Sequence, residues 1–354
     1  MSAARYTVLQ TVLRTGTVVA QLPVTGISFT ETLNAAGAAQ VGIPLSCPQA
    51  DPTSLYAGGS GLVVTRDDEP VWGGILWNLA ADLAAGTLTL GASGYHSHYK
   101  GRNLADGFAV VDWDIADILK AWLNRPNAVG TDLSAVMPTG RKRTRQWTKY
   151  ELKNVADSVE ELADNIGGYN FRYESYWIDR GKTLGNRFLI SDRSGSPNPH
   201  VLTHRENCNV TSVTYDSTAL ATTAYAVGAD NGAGEKLVGI SSNTDLGTRI
   251  PTKNIVTTYS DVKETQTLIL KAQATVNAGM APVAIPSLTL YPDMFRPQDF
   301  VPGDACTVSA DSGYVALSHD FVVTERKTDV DTNGRETIAL SLANKELFSN
   351  ANPS

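Results

Sequence analysis

Residues of the types that most often carry chemistry are sparse in this chain and scattered along it. Asp329-x-Asp331-x-Asn333-Gly334 reproduces the opening of a calcium-binding loop, where alternate carboxylates converge on the ion and glycine makes the sharp turn. The position at which such a loop closes with a bidentate glutamate is held by Leu340, and strand-like alternation follows Gly334. Asn333-Gly334 between alternating segments reads instead as a hairpin, since both residues tolerate the positive φ of a type I′ turn. His96-x-His98 would put two imidazoles on one face of a strand, and His200 with His204 would meet on a helical turn. Neither pair has further ligands at familiar spacing, so hydrogen-bonded or solvated histidines are expected. Cys47, Cys208 and Cys306 form no Cys-x-x-Cys pattern, which favours buried reduced thiols over a zinc site or disulfide scaffold.

Other chemical signatures are missing. The sequence has no HExxH, no GxSxG, no Walker-type GxxxxGK[ST], and no GxGxxG that follows a strand and opens a helix. Carboxylates are plentiful but unpaired by spacing, so a glycosidase pair has no specific support. No catalytic, cofactor-binding or metal-ligating residue is assigned, no cofactor is implied, and the expectation is a non-enzyme. The sharpest charge feature is the basic run Arg141, Lys142, Arg143, Arg145 and Lys149, interrupted by Trp147. It reads either as a mobile solvated loop or as an electrostatic contact for an acidic neighbouring chain.

Composition narrows the classes further. With 354 residues, 42% hydrophobic and 18% charged, the chain is long enough for about two domains and too apolar for general disorder. Its net charge of −7 argues against general binding to the nucleic-acid backbone. No apolar run reaches the roughly 18 residues of a bilayer span, and the N-terminus lacks a basic start followed by an apolar run, so neither membrane insertion nor secretion is expected.

The elements that must position these residues follow from periodicity. Short alternating or β-branched runs at Thr7–Leu13, Val18–Leu22, Ile27–Leu33, Ala39–Leu45, Gly61–Thr65, Val71–Trp77 and Thr87–Gly91 predict strands linked by tight turns. A helix is predicted from Asp114, with Asp112 and Asp114 placed as N-cap and first-turn carboxylate, Ile115, Ile118, Leu119 and Trp122 on one face and Pro126 as its stop. A second spans Asn154–Ile166, with Val155, Val159, Leu162 and Ile166 on one face and Gly167-Gly168 as its stop. Strand patterns return at Asn186–Ser191, Asn209–Tyr215 and Ala224–Val227, and Gly228 to Gly234 reads as an exposed loop. A third helix is predicted from an N-cap at Ser260, with Asp261 and Glu264 in its first turn, to Gly279 before Pro282. Val262, Leu268, Leu270 and Ala274 are its candidate contacts. From Ala284 to about Phe348 the pattern is again strand-like.

A faint repeat links the two β-rich ends. Gly59, Asp67 and Val71 share their spacing with Gly303, Asp311 and Val315, and alternating strands with Leu88 and Leu90, and with Ile338, Leu340 and Leu342, follow. The fold expected is mainly β with α+β insertions, built on two small β-barrel domains. The first barrel takes residues 1–103 and an inserted α+β domain takes 104–204. The second barrel takes 205–240 and 281–350, around a smaller helical insertion at 241–280.

In its order of motifs the chain resembles the tail-hub proteins of tailed bacteriophages, relatives of the baseplate hub. The residues that carry this are Ile27-Ser28-Phe29 with Leu33, Gly37 and Val41 to Leu45, then Leu62-Val63-Val64-x-Arg66-Asp67 and Val71-Trp72-x-Gly74. Gly94-Tyr95, Tyr99-x-x-Arg102, the helix–Gly167-Gly168–strand segment and Gly303-Asp304-x-Cys306 complete the set. The resemblance implies a structural virion protein at the tail tip, assembled in the host cytoplasm. It implies a homotrimer whose six barrels make a pseudo-sixfold ring between the distal-tail or tube ring and a central fibre or spike. The implied partners are the distal tail protein, the tape-measure protein and the fibre, with DNA passing through unbound during ejection and no stable membrane insertion. Duplication lets three chains supply the surfaces of six. The alternative is a carbohydrate-binding module at the tail tip, suggested by six tryptophans and thirteen tyrosines, for which Trp72, Trp77 and Trp147 would have to be exposed together. A cell-wall-degrading enzyme is the third reading.

Overall fold

A computed structural model of the chain describes residues 4–345 apart from 127, 165–167, 233, 261, 281–282 and 292–293. The alternating N-terminal segments form β1 (Tyr6–Val12), β2 (Val18–Leu22), β3 (Gly26–Thr32), β4 (Ala38–Pro44), β5 (Ser60–Arg66), β6 (Glu69–Asp82) and β7 (Thr87–Gly94). A short helix α1 (His96–Lys100) leads to β8 (Phe108–Asp114), α2 (Ile115–Leu123), β9 (Lys142–Trp147), α3 (Val155–Asp164), β10 (Tyr169–Asp179) and β11 (Thr183–Asp192). There follow β12 (Ser196–Thr203), β13 (Cys208–Asp216), β14 (Thr223–Asp230), β15 (Lys236–Ser242), α4 (Thr244–Gly247), β16 (Asn254–Thr258) and α5 (Thr265–Ala278). The chain ends in β17 (Val283–Leu290), β18 (Asp304–Ser312), β19 (Val315–Val330) and β20 (Glu336–Asn344). The fold is mainly β with helical insertions, as expected.

The two strand-rich ends share a topology. Hydrogen bonding runs β3-β4-β7-β6-β5 in the first group and β13-β17-β20-β19-β18 in the second, and the five strands occur in the same chain order in each. Each group contains a meander whose long middle strand carries a bulge on its outer pairing. β6 skips Trp77 between Leu76↔Ala92 and Asn78↔Gly91, and β19 skips Thr324 between Val323↔Leu342 and Glu325↔Ser341. Just ahead of the first meander strand, Gly58 (φ +80°) donates its N–H to the Leu76 carbonyl, and Gly303 (φ +99°) donates to that of Val323. Such φ values suit glycine, which has no Cβ to clash. The sixth strand differs: β1 lies antiparallel to β5, whereas β12 lies parallel to β18.

The repeat read from spacing is therefore placed differently by the structure. Asp67 sits in the two-residue turn between β5 and β6, but Asp311 is still within β18, and the matching turn is Gly313-Tyr314. The second hairpin is longer, so the equal spacing of Gly59–Asp67 and Gly303–Asp311 does not mark equivalent positions. Neither group is closed as a barrel by pairings among the described residues. Instead β19 pairs with β3, and the groups join in one 13-stranded sheet.

Separate cores back the parts. Phe29, Val41, Leu62, Trp72 and Leu90 fill the first group; Phe300, Cys306, Val308, Phe321 and Leu340 fill the second. Between them, α2 and α3 pack Ile118, Leu119, Trp122, Val159 and Leu162 onto Phe171 and Phe188 of the β10–β11 hairpin. Burial of such side chains at ~25 cal/mol per Å² is the main force holding these layers. Both helices start within a residue of expectation, but the cap of the first is Asp114 and not Asp112, which lies in β8: Asp114 Oδ1 accepts from Ala116 N at 2.8 Å, and Asn154 Oδ1 accepts from Asp157 N at 3.1 Å. The expected end of the second, Ile166 and Gly167, lies outside the described residues.

The third helix departs from expectation. It begins at Thr265 after Glu264, not at Ser260, and Asp261 lies outside the described residues. Its buried stripe is Leu268, Ala272 and Val276, while Leu270 is exposed, because this face must lie on β14 and β15. The strands β15-β14-β16 form a sheet of their own under α5, and the boundary drawn at 240/241 runs through β15. The 228–234 stretch is partly strand: β14 continues to Asp230 before it turns.

Candidate functional site

The features with functional content lie where the two strand groups meet and where their strands end unpaired. At the seam, Arg326 of β19 is fully buried and faces Glu31 on the paired β3. Its Nη2 donates to Glu31 Oε2 at 2.6 Å and to the Val71 carbonyl at 3.4 Å, and its Nη1 donates to the carbonyls of Pro297 and Phe300. One guanidinium thus ties β19, β3, β6 and the loop before β18 together. A buried charge is tolerable only when paired and hydrogen-bonded in this way. Alongside, Glu336 at the start of β20 takes a bidentate pair from Arg66, Nε at 2.9 Å and Nη2 at 2.8 Å, and a hydrogen bond from the Tyr6 hydroxyl at 2.5 Å. Burial, and then the Glu336 carboxylate, push the Tyr6 phenol far above its ordinary range.

Arg66 stands in the Leu62–Asp67 stretch that carries the resemblance, but sequence reading missed Arg326, Glu31, Glu336 and Tyr6. The available signal was a charge on the inward register of a strand: Arg326, Thr328 and Val330 are buried while Lys327 is exposed.

The seam uses only part of each strand. The first half of β19 pairs with β18 and the second half, Glu325–Val330, with β3. On β6 the matching first half pairs with β5, but on the β5 side Asn78–Asp82 has no backbone partner among the described residues. Among the described residues β13 likewise has β17 as its one partner strand, with a single bridge from Cys208 to His204 at its start.

The basic run is not a mobile loop. Lys142–Trp147 is strand β9, paired with β8, and it turns Arg141, Arg143, Arg145 and Trp147 inward while Lys142, Thr144 and Gln146 face out. Arg141 donates to Asp192 at 2.5 Å, Lys142 meets Asp112 at 2.8 Å, and Arg145 lies 4.0 Å from Glu161. Carboxylates of the same chain therefore answer these charges. Trp147 stacks on Trp122 with centroids 5.3 Å apart.

The remaining residues singled out by sequence are dispersed. Tyr95–Tyr99 forms a helical turn and not a strand, because Tyr95 and Tyr99 both pack into the core, so His96 and His98 do not share a face. His96 is buried, with Nε2 3.0 Å from Glu160 Oε1 and Nδ1 3.3 Å from the Tyr173 hydroxyl. Burial, with Arg102 nearby, lowers the pKa of His98. His200 is on strand β12 against Phe295 and Phe300, and His204 follows that strand and accepts from Val210 N at 3.0 Å, so no helical turn joins them. Among the described residues no three His, Cys, Asp or Glu side chains converge on a metal-sized site.

Asp331 accepts from Asn333 N and Arg335 N within the β19–β20 turn. There only Gly334, at φ +78°, takes the left-handed conformation, so the turn is a type I turn followed by a left-handed glycine and not type I′. The cysteines are free. Burial pushes Cys208 up to about 11 and Cys306 to about 12, as expected of inert thiols. Trp72 is buried with its Nε1 donating to the Thr30 carbonyl, whereas Trp77 is half exposed and Trp147 half buried, so the three make no shared aromatic platform.

The architecture matches solved structures over nearly the full chain. A 43 kDa tail protein of prophage MuSo2 from Shewanella oneidensis superposes with a TM-score of 0.64 at 11% identity, covering 97% of this chain and 99% of that one. This chain has the fold of phage tail proteins. The tail protein of Neisseria meningitidis shares the fold at a TM-score of 0.62 and 14% identity, with 98% of both chains covered. The prophage tail protein gp18 of Listeria monocytogenes shares it at 0.57 and 12%, with 95% and 94% covered. No family model matches the sequence, and no curated protein matches it. At identities of 11–14% these likenesses show the fold alone.

Proposed function

We propose that this chain is a structural tail-hub subunit of a tailed bacteriophage virion, with no enzymatic role. Three copies form a ring in which the two strand groups of each chain act as neighbouring sectors, giving pseudo-sixfold symmetry. The observation that carries this reading is the matched five-strand order of the two ends, joined edge to edge through β19 and β3. A monomer has no need of two like-shaped sectors side by side, whereas a closed ring made from a duplicated unit does. The ring joins the hexameric distal-tail or tube ring to a central fibre or spike, meets the tape-measure protein, and lets DNA pass. A net charge of −7 suits a lumen that must not hold a polyanion.

The test is mass-resolved sizing of the purified chain, together with averaged imaging of tail tips labelled on it. A trimer, or a threefold density at the tip, is the expected result. A strict monomer that joins no threefold ring overturns the reading.

A further inference from the structure

We infer that the open edge of β6 in one copy pairs antiparallel with β13 of a second copy of this chain, in the register Asn78↔Asp216, Leu79↔Tyr215, Ala80↔Thr214, Ala81↔Val213 and Asp82↔Ser212. This rests on the ring proposed above and supplies its contact between chains.

The register comes from the seam within the chain. The bulges align Thr324 with Trp77, so Glu325, Arg326, Lys327, Thr328 and Asp329 of β19 correspond to Asn78, Leu79, Ala80, Ala81 and Asp82 of β6. Pairing across β4–β7 and β17–β20 aligns Gln40 with Ser287, and hence Ser28 of β3 with Ser212 of β13. Inside the chain Asp329 faces Ser28 and Glu325 faces Thr32, a five-residue ladder. Transferred to the equivalent strands, that ladder is the pairing stated. The second half of β6 and the outer side of β13 are the strand edges equivalent to those that β19 and β3 join within the chain, and neither has a strand partner among the described residues.

The side chains agree with this occupant. Natural sheets protect exposed edges with lysine, proline, inward charges or short strands. Leu79-Ala80-Ala81 and Val213-Thr214-Tyr215 have neither charge nor proline, and Ala80, Ala81, Thr214 and Tyr215 are exposed. The only charged positions, Asp82 and Asp216, fall at opposite ends of the ladder and face Ser212 and Asn78, so no like charges oppose. Where the internal seam has Arg326 against Glu31, the contact between chains has Leu79 against Tyr215, an apolar pair suited to joining separately folded copies.

Cross-strand partners have Cβ atoms ~4.5–5.5 Å apart, near the reach of a disulfide. The full-length double variant Leu79→Cys with Tyr215→Cys, oxidised mildly, is expected to give covalent dimers and closed trimers on non-reducing gels, and each single variant none. A wild-type trimer whose double variant gives no 79–215 bond overturns this pairing while leaving the ring intact. A monomeric wild-type chain that gives no bond overturns both. In a second measurement, Ala80→Glu with Thr214→Glu is expected to raise the concentration for half-assembly about tenfold, and Ala80→Lys with Thr214→Glu to restore it. Equal assembly by both pairs overturns the register, and recovery by the second excludes misfolding as the cause.

Discussion

Arg326 and Glu31 sit directly opposite one another where the C-terminal strand group meets the N-terminal one, 2.6 Å apart, with the guanidinium wholly out of solvent. The pair fixes how the two sectors of one chain are set relative to each other, since the same guanidinium also donates to carbonyls on β6 and in the 297–300 loop.

Replacing Arg326 with alanine removes the guanidinium donor from Glu31 and from the carbonyls of Val71, Pro297 and Phe300. Breaking one side of a buried pair costs about 3–5 kcal/mol. Chemical denaturation of Arg326→Ala should show a loss of that order, and Glu31→Gln a smaller one of about 1–3 kcal/mol. The exchange Arg326→Glu with Glu31→Arg should not recover stability, because a carboxylate at 326 cannot donate to those carbonyls; recovery would mean that charge alone holds the seam.

Asp114 caps α2 and also holds the loop before β9. Besides Ala116 N, its carboxylate accepts from Thr139 N at 3.0 Å and Gly140 N at 2.7 Å. Burial raises its pKa, but these N–H groups more than offset that and keep it low. Asp114→Ala should cost about 2 kcal/mol, the upper end for a lost cap, read from a lowered melting temperature. Asp114→Asn should recover about half.

The His96–Glu160 contact predicts an acid limit. The hydrogen bond with His96 lowers the Glu160 pKa against opposing burial, with Lys100 helping at 3.2 Å. A carboxyl whose folded value lies below its unfolded value of about 4.3 stabilises the fold above that pH and ceases to as pH falls through the folded value. Stability measured downward from pH 6 should therefore fall more steeply in the wild type than in Glu160→Gln, which should be the less stable of the two at pH 6.

Gly239 on β15 is a site of close approach. A Cβ there would come within 2.2 Å of the Leu268 backbone, so an alanine must push α5 off its sheet. Gly239→Ala should cost about 1–3 kcal/mol, confined to the unit around Leu268, Ala272 and Val276. Amide exchange should quicken across residues 223–278 while β3, β4, β19 and β20 keep their protection.

Local pattern was enough for the N-terminal strands, the starts of α2 and α3 and the mainly β class, because alternation and helical spacing are properties of consecutive residues. Strands β1 to β7 each overlap the run predicted for them. Local pattern misled where a distant partner decides conformation. The run Lys142–Trp147 is a strand because β8 and the stacked Trp122 hold it, and Tyr95–Tyr99 is a helical turn because its aromatic residues face the core. α5 starts late and exposes Leu270 because its contact face is set by β14 and β15.

By itself, the sequence determined that the N-terminal runs extend, where α2 and α3 begin and that the class is mainly β, since the hydrophobic period and the dihedral limits of glycine, proline and asparagine act within a few residues. Tertiary structure alone decided that the two ends share one strand order, that Arg326 lies across from Glu31, and that one side of Asn78–Asp82 and one side of β13 have no strand partner among the described residues. Strand pairing joins residues up to some three hundred positions apart, and nothing in a strand's own alternation names the strand beside it.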